Sequence, residues 1–149
     1  MASKRIEIGW AGETVLHNLP RFRALRRMTL MDLAERLDEL GRPMSVPTLS
    51  AVENGKRRID VDDLVHLALA LDVSPAALLM PPANGLDDSI GNPPSASDYP
   101  EVRAADWWQW LRSEYPLWAG PTTTDFEVER WRWDVNPPFG RKGPLEPRG

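Results

Sequence analysis

Few side chains in this chain could carry covalent or metal chemistry. There is no Cys, which excludes disulfides, thiolate zinc ligands and thiol nucleophiles. The two histidines, His17 and His66, stand 49 positions apart, so a His-rich metal site has no basis and no metal or cofactor is expected. Asp62-Asp63 is the most tempting acid–base pair, because such catalysis needs carboxylates whose pKa values are tuned by burial. Their place just after Asp60, at the head of an apolar-periodic run, explains them as helix-start chemistry instead. His66 sits beside the Leu64–Leu71 face and reads as a partly buried structural residue, and His17 has no visible partner. An enzyme is therefore the least supported class.

Local charge offers a different chemistry. The net charge of −4 comes wholly from residues 81–149, with 7 basic against 11 acidic side chains, while residues 1–80 balance at 11 each. Within residues 19–60 the ratio is 9 basic to 6 acidic, and the cations cluster as Arg21, Arg23, Arg26 and Arg27, then Lys56-Arg57-Arg58. Either cluster alone is an ordinary solvated helix face. Together, on correctly placed elements, they suit a phosphate backbone.

Those elements follow from caps and periodicity. Phe22, Leu25 and Met28 at three-residue spacing predict a first helix ending near Arg27, with Pro20 in its first turn or at a bend. Thr29 with Asp32 makes a capping box, and Leu30, Leu33, Leu37 and Leu40 carry a second helix to the stop at Gly41 and Pro43. Ser45 caps a third helix, with Pro47 in its first turn, Leu49 and Val52 as a narrow apolar stripe, and Gly55 just past its end. Asp60 and Asp63 open a fourth helix bearing Leu64, Leu67 and Leu71, and Ser74-Pro75 opens a fifth that ends in Leu78-Leu79-Met80.

The expected organisation is all-α: a five-helix domain over residues 13–80, a Pro/Gly-rich flexible linker over 81–101, a small Trp-rich helical segment over 102–136 and a disordered tail over 137–149. Val102 to Leu117 reads as a helix. Asp125–Val135 fits either a strand or a helix, with helix preferred. Hydrophobic content of 42% and charged content of 27% are globular values. The N-terminus lacks the apolar core of a signal peptide, and the longest apolar run, Leu67–Leu71, cannot span a membrane. A soluble cytoplasmic protein is expected.

The ordered set of helices, caps and turn closely resembles the lambda-repressor-like (XRE) helix-turn-helix family of transcription regulators. The resemblance rests on Leu19-Pro-Arg-Phe-Arg-Ala-Leu-Arg-Arg-Met-Thr-Leu30, Leu33-Ala-Glu-Arg-Leu37, Ser45-Val-Pro-Thr-Leu-Ser-Ala-Val-Glu-Asn-Gly-Lys-Arg-Arg58 and Val61-Asp-Asp-Leu-Val-His-Leu-Ala-Leu-Ala-Leu-Asp-Val-Ser74. It covers about half the chain. Two departures stand out. The turn Asp38–Met44 is longer than usual and looks like the Leu-Gly-Arg-Pro variant of actinobacterial members, and Arg27 replaces the usual turn glycine.

The resemblance implies roles for particular residues. Val46, Pro47, Ser50 and Ala51 match positions facing base edges. They lack the Arg, Gln or Asn of bidentate readout, leaving thymine methyls and DNA shape, with Arg42 in the long turn as a further candidate contact. Thr29, the backbone at Leu30, Thr48, Asn54, Lys56, Arg57 and Arg58 match phosphate-contacting positions. Glu53 pairs with the residue matching Arg23 and has a structural role. The implied function is that of a DNA-binding regulator, a homodimer on an inverted repeat of double-stranded DNA. The rival is a protein-interaction module or antitoxin that uses Trp107, Trp108, Trp110, Trp131 and Trp133 to hold a partner. Those tryptophans packing back on the helical domain, or pairing across a homodimer, is the simpler expectation.

Overall fold

Side-chain caps start most of the helices. Thr29 Oγ1 accepts the Asp32 N–H at 3.1 Å while Asp32 returns a bond to the Thr29 N–H at 2.8 Å, opening α2 (Leu30–Glu39). Ser45 opens α3 (Val46–Glu53), the Asp60/Asp63 box opens α4 (Val61–Leu71), and Ser74 opens α5 (Pro75–Leu78). A Thr124/Glu127 capping box opens a later helix, Asp125–Val135, and decides that segment for helix over strand. The computed structural model describes residues 6–91 and 102–141, and among these all regular structure is helical apart from one isolated β-bridge.

The first helix, α1 (Trp10–Leu25), starts ahead of the expected domain boundary at residue 13, and Pro20, expected in its first turn or at a bend, lies in its interior. The Pro20 side is exposed, so water can take up the carbonyl that its missing N–H leaves free. Val15, Leu19 and Phe22 form the buried stripe, and Leu25 is 66% exposed, contrary to the predicted Phe22–Leu25–Met28 face. Met28 lies beyond a chain reversal at Arg27, so it shares no helix face with Phe22. Arg27 takes φ 55° there, its N–H bonding Ala24 O at 3.1 Å and the next N–H, of Met28, bonding Arg23 O at 2.9 Å. The same pair of bonds closes α2 at Gly41 and α3 at Gly55, with φ of 80° and 70°.

Leu19, Leu33, Leu37, Leu49, Val52, Leu67, Leu71 and Leu78 are fully buried in one core shared by α1 to α5. Of the buried polar side chains Thr14, Asn18 and Asp63, Asn18 is the most enclosed. Asn18, wholly buried on α1, donates from Nδ2 to Leu78 O at 2.9 Å and Met80 O at 2.7 Å, and its Oδ1 accepts from Arg21 Nε at 3.2 Å. This latch holds the end of α5 against α1.

The C-terminal part is anchored on that domain. Trp107, on α6 (Ala104–Leu111), donates its indole N–H to Leu79 O at 3.0 Å and meets Trp10 edge-on, with ring centroids 5.0 Å apart. Ile90, Val102, Ala104 and Trp107 form a second small core with Trp10, Met80, Leu111 and Leu117. The stretch expected as a flexible linker is built into this contact up to Gly91. Asp88 accepts the N–H groups of Asn84 and Gly85, Ser89 bridges to Arg103, and Ile90 is buried. The remainder of the expected linker, residues 92–101, lies outside the described residues.

Helix α6 is shorter than the expected Val102–Leu117, because Ser113 turns to φ 55° and closes it. On α7 (Asp125–Val135) only Val128 is buried. The expected tail begins with a 3-10 turn at Pro138–Gly140, and Arg141 lies over the Trp133 ring at 4.7 Å while donating to Trp133 O. Residues 142–149 are outside the described residues. No helix among the described residues is long and apolar enough to cross a membrane.

Candidate nucleic-acid interface

Two ion pairs orient α3 and its neighbours. Arg23 on α1 grips Glu53 with both arms of its guanidinium, Nε to Oε1 at 2.6 Å and Nη2 to Oε2 at 2.9 Å, and gives its remaining arm to Met28 O at 3.0 Å. Both side chains are less than one-fifth exposed, and the hydrogen bond to Glu53 raises the Arg23 pKa further above its ordinary value. A planar, bidentate pair of this kind fixes angle as well as distance. It sets the C-terminal end of α3 against α1 and the turn before α2, and leaves Glu53 no free charge.

The second pair uses Arg42. Its guanidinium reaches Asp60 and Asp63, each at 3.0 Å, so the long α2–α3 turn is tied to the capping box of α4. The bond to Asp63 raises the Arg42 pKa. The Asp60 carboxyl is held below its usual range, first by the Asp63 N–H and then by Arg42. The guanidinium of Arg42, a candidate DNA contact, is thus turned toward α4.

With α3 so placed, Leu49 and Val52 point into the core. At 3.6 residues per turn, Pro47, Ser50, Ala51 and Asn54 fall on the opposite side, with Val46 at the edge. Pro47 and Asn54 are exposed, and Val46, Ser50 and Ala51 are half-buried. The polar members are engaged locally: Asn54 Nδ2 bonds Ser50 O at 2.8 Å and Ser50 Oγ at 3.3 Å, and Ser45 Oγ donates to Thr48 Oγ1 at 2.9 Å. The Thr48 hydroxyl proton remains available to an acceptor.

Beyond Gly55 the chain presents Lys56, Arg57 and Arg58, all exposed, and none is ion-paired among the described residues. Arg58 is steadied by a bond from Nε to Glu7 O at 2.7 Å, which ties the approach to α1 beside the α3 exit. At the N-terminus of α2, Thr29 spends its hydroxyl on the Asp32 N–H. That leaves the N–H groups of Leu30 and Met31 without helical acceptors, as at any helix start. The same box puts a carboxylate in this first turn, and the Thr29 N–H lowers the Asp32 pKa.

Of the tryptophans offered as partner-binding residues, Trp107 is buried in the contact with Trp10 and Leu79, and Trp110 packs on Trp107 at 4.9 Å. Trp108 lies under Arg112, and Trp133 under Arg141. Trp131 is half-buried on α7. A cleft of about 530 Å³ between α6 and α7 is lined by Arg112, Glu114, Arg132, Trp133 and Arg141. Arg112 there pairs with Glu114, and Arg132 donates to Glu114 O.

Three organising contacts had faint signals in the sequence or none. Asn18 is a polar residue within the Val15–Leu19–Phe22 stripe, a visible anomaly. Trp10 is an isolated aromatic ahead of the expected first helix. The partnership of Arg42 with the α4 cap has no local signal.

Comparison with known proteins falls on the same region. No curated protein and no solved structure matches the chain. A helix-turn-helix family model matches residues 21–78, from the second half of α1 to the last residue of α5, so this part of the chain is similar to that family.

Proposed function

We propose that this protein is a sequence-specific transcription regulator that binds double-stranded DNA as a homodimer on an inverted repeat. In this reading α3 enters the major groove with Val46, Pro47, Ser50 and Ala51 toward the base edges. Thr48, Asn54, Lys56, Arg57, Arg58 and the start of α2 at Thr29 and Leu30 meet the phosphates. Arg23, Glu53 and Arg42 position these elements and touch no DNA. The observation that carries the reading is the run of exposed cations leaving α3, with no ion pair among the described residues, within the region that matches the helix-turn-helix family. Catalysis has no part in it, and the place of action is the cytoplasm.

The test is selection from a random-sequence duplex pool with the full chain, at low and at physiological salt. Enrichment of a palindrome, with affinity falling steeply as salt rises, is expected. Failure to retain any DNA at low salt refutes it. The second reading, a partner-binding module or antitoxin, is favoured by the exposure of Trp118, Phe126 and Phe139 on the C-terminal part.

A further inference from the structure

The outward face of α3 is unusual in what it lacks. Sequence readout in the major groove ordinarily uses a long polar side chain that meets two atoms of one base. Here the one amide on the face, Asn54, turns its Nδ2 back onto Ser50 O and Oγ. The nearby guanidinium of Arg42 is held by Asp60 and Asp63, and that of Arg23 by Glu53. What remains toward the groove, beside the Ser50 hydroxyl, is the isopropyl group of Val46, the ring of Pro47 and the methyl of Ala51, with Pro47 exposed and the other two half-buried. The cations of Lys56–Arg58 lie immediately beyond, so the apolar patch sits beside a surface suited to a polyanion.

The only apolar group that base pairs present in the major groove is the 5-methyl of thymine. We propose that α3 recognises its half-site by packing Val46, Pro47 and Ala51 against thymine methyls, so that the preferred DNA carries thymines where a polar reader would require guanine or adenine contacts. This rests on the proposed DNA-binding reading and specifies its substrate. Burying one methyl is worth about a fourfold change in affinity, so two or three such contacts amount to roughly 15- to 60-fold.

The experiment uses the full chain and the duplex enriched from the random pool. Each thymidine in the half-site is replaced by deoxyuridine, which removes the methyl and leaves charge and base pairing unchanged. Losses of about fourfold are expected at two or three adjacent positions, with the salt slope unaltered. Val46→Thr keeps the side-chain shape but adds a hydroxyl, and is expected to reduce the uracil penalty at one position only. Uniform tolerance of uracil by a protein that still binds in a salt-dependent way overturns the methyl readout and leaves the regulator reading standing. Absence of salt-dependent binding to any duplex overturns both.

Discussion

Replacing Asn18 by Asp changes almost nothing but hydrogen-bond sense, and this makes it a stringent test of how α5 is held. The amide nitrogen donates to Leu78 O at 2.9 Å and Met80 O at 2.7 Å, in a site with no exposure to solvent. In the variant both donors vanish, and a carboxylate oxygen faces two carbonyl oxygens. Each orphaned buried acceptor costs about 1–3 kcal/mol, the half-buried Met80 O nearer the lower figure, so the loss is roughly 3 kcal/mol before any repulsion. Arg21 Nε, 3.2 Å from Oδ1, offsets part of that repulsion. Against a typical total of about 5–15 kcal/mol this is a large fraction, with a melting temperature lower by roughly 10 °C. The site favours the protonated form of the new carboxyl, raising its folded pKa above the unfolded value. The penalty is therefore full at neutral pH and shrinks as pH falls through the raised value, when one O–H donor returns. Urea unfolding followed by circular dichroism, for the parent and the variant at pH 7 and pH 5, reads both effects. A variant within about 0.5 kcal/mol of the parent at pH 7 would refute the reasoning.

Three further outcomes are expected. Arg57→Ala should weaken binding to every duplex alike and reduce the magnitude of the salt slope by about one, read from affinities at several salt concentrations. Arg27→Gly should stabilise the fold by about 0.5–1 kcal/mol, because Arg27 holds φ 55° at the close of α1, and denaturant midpoints will show it. The capping boxes keep the Asp32, Asp60 and Glu127 carboxyls below their ordinary pKa, chiefly through backbone N–H groups, so their contribution is present above the unfolded value and lost as pH falls through the folded one. Asp32→Asn should accordingly differ most from the parent at neutral pH and converge with it in acid, as measured by thermal melts across that range.

Local signals carried most of the fold. Thr29 with Asp32, Ser45, Asp60 with Asp63, and Ser74 announce their helices because a cap satisfies donors within three residues of itself, a range that a sequence displays directly. The start of helix α1 is not legible because Gly9 supplies no side-chain cap. The spacing of Phe22, Leu25 and Met28 misleads for a related reason, because it ignores the left-handed turn at Arg27 that takes Met28 off the helix. Contacts across the chain were not legible. Asn18 meets residues about sixty positions on, and Trp10 meets Trp107, and periodicity holds no information about such pairings. At the candidate interface the residue types of α3 were visible, but the diversion of Arg42 to the α4 cap and of Asn54 onto Ser50 depends on three-dimensional placement.

Helix α1 joins two contacts that are otherwise remote from each other. Near its first residue Trp10 abuts Trp107, and near its last turn Arg23 grips Glu53 at the end of α3. Arg23 lies thirteen positions after Trp10, and at the helical rise of 1.5 Å this makes a strut about 20 Å long. A strut converts angle into displacement: a tilt of about 5° at the Trp10 end carries the Arg23 end about 1.7 Å. That shift is more than half the length of the 2.6 and 2.9 Å bonds to Glu53. A change in how that single indole seats would therefore reach the end of α3 through the length of α1.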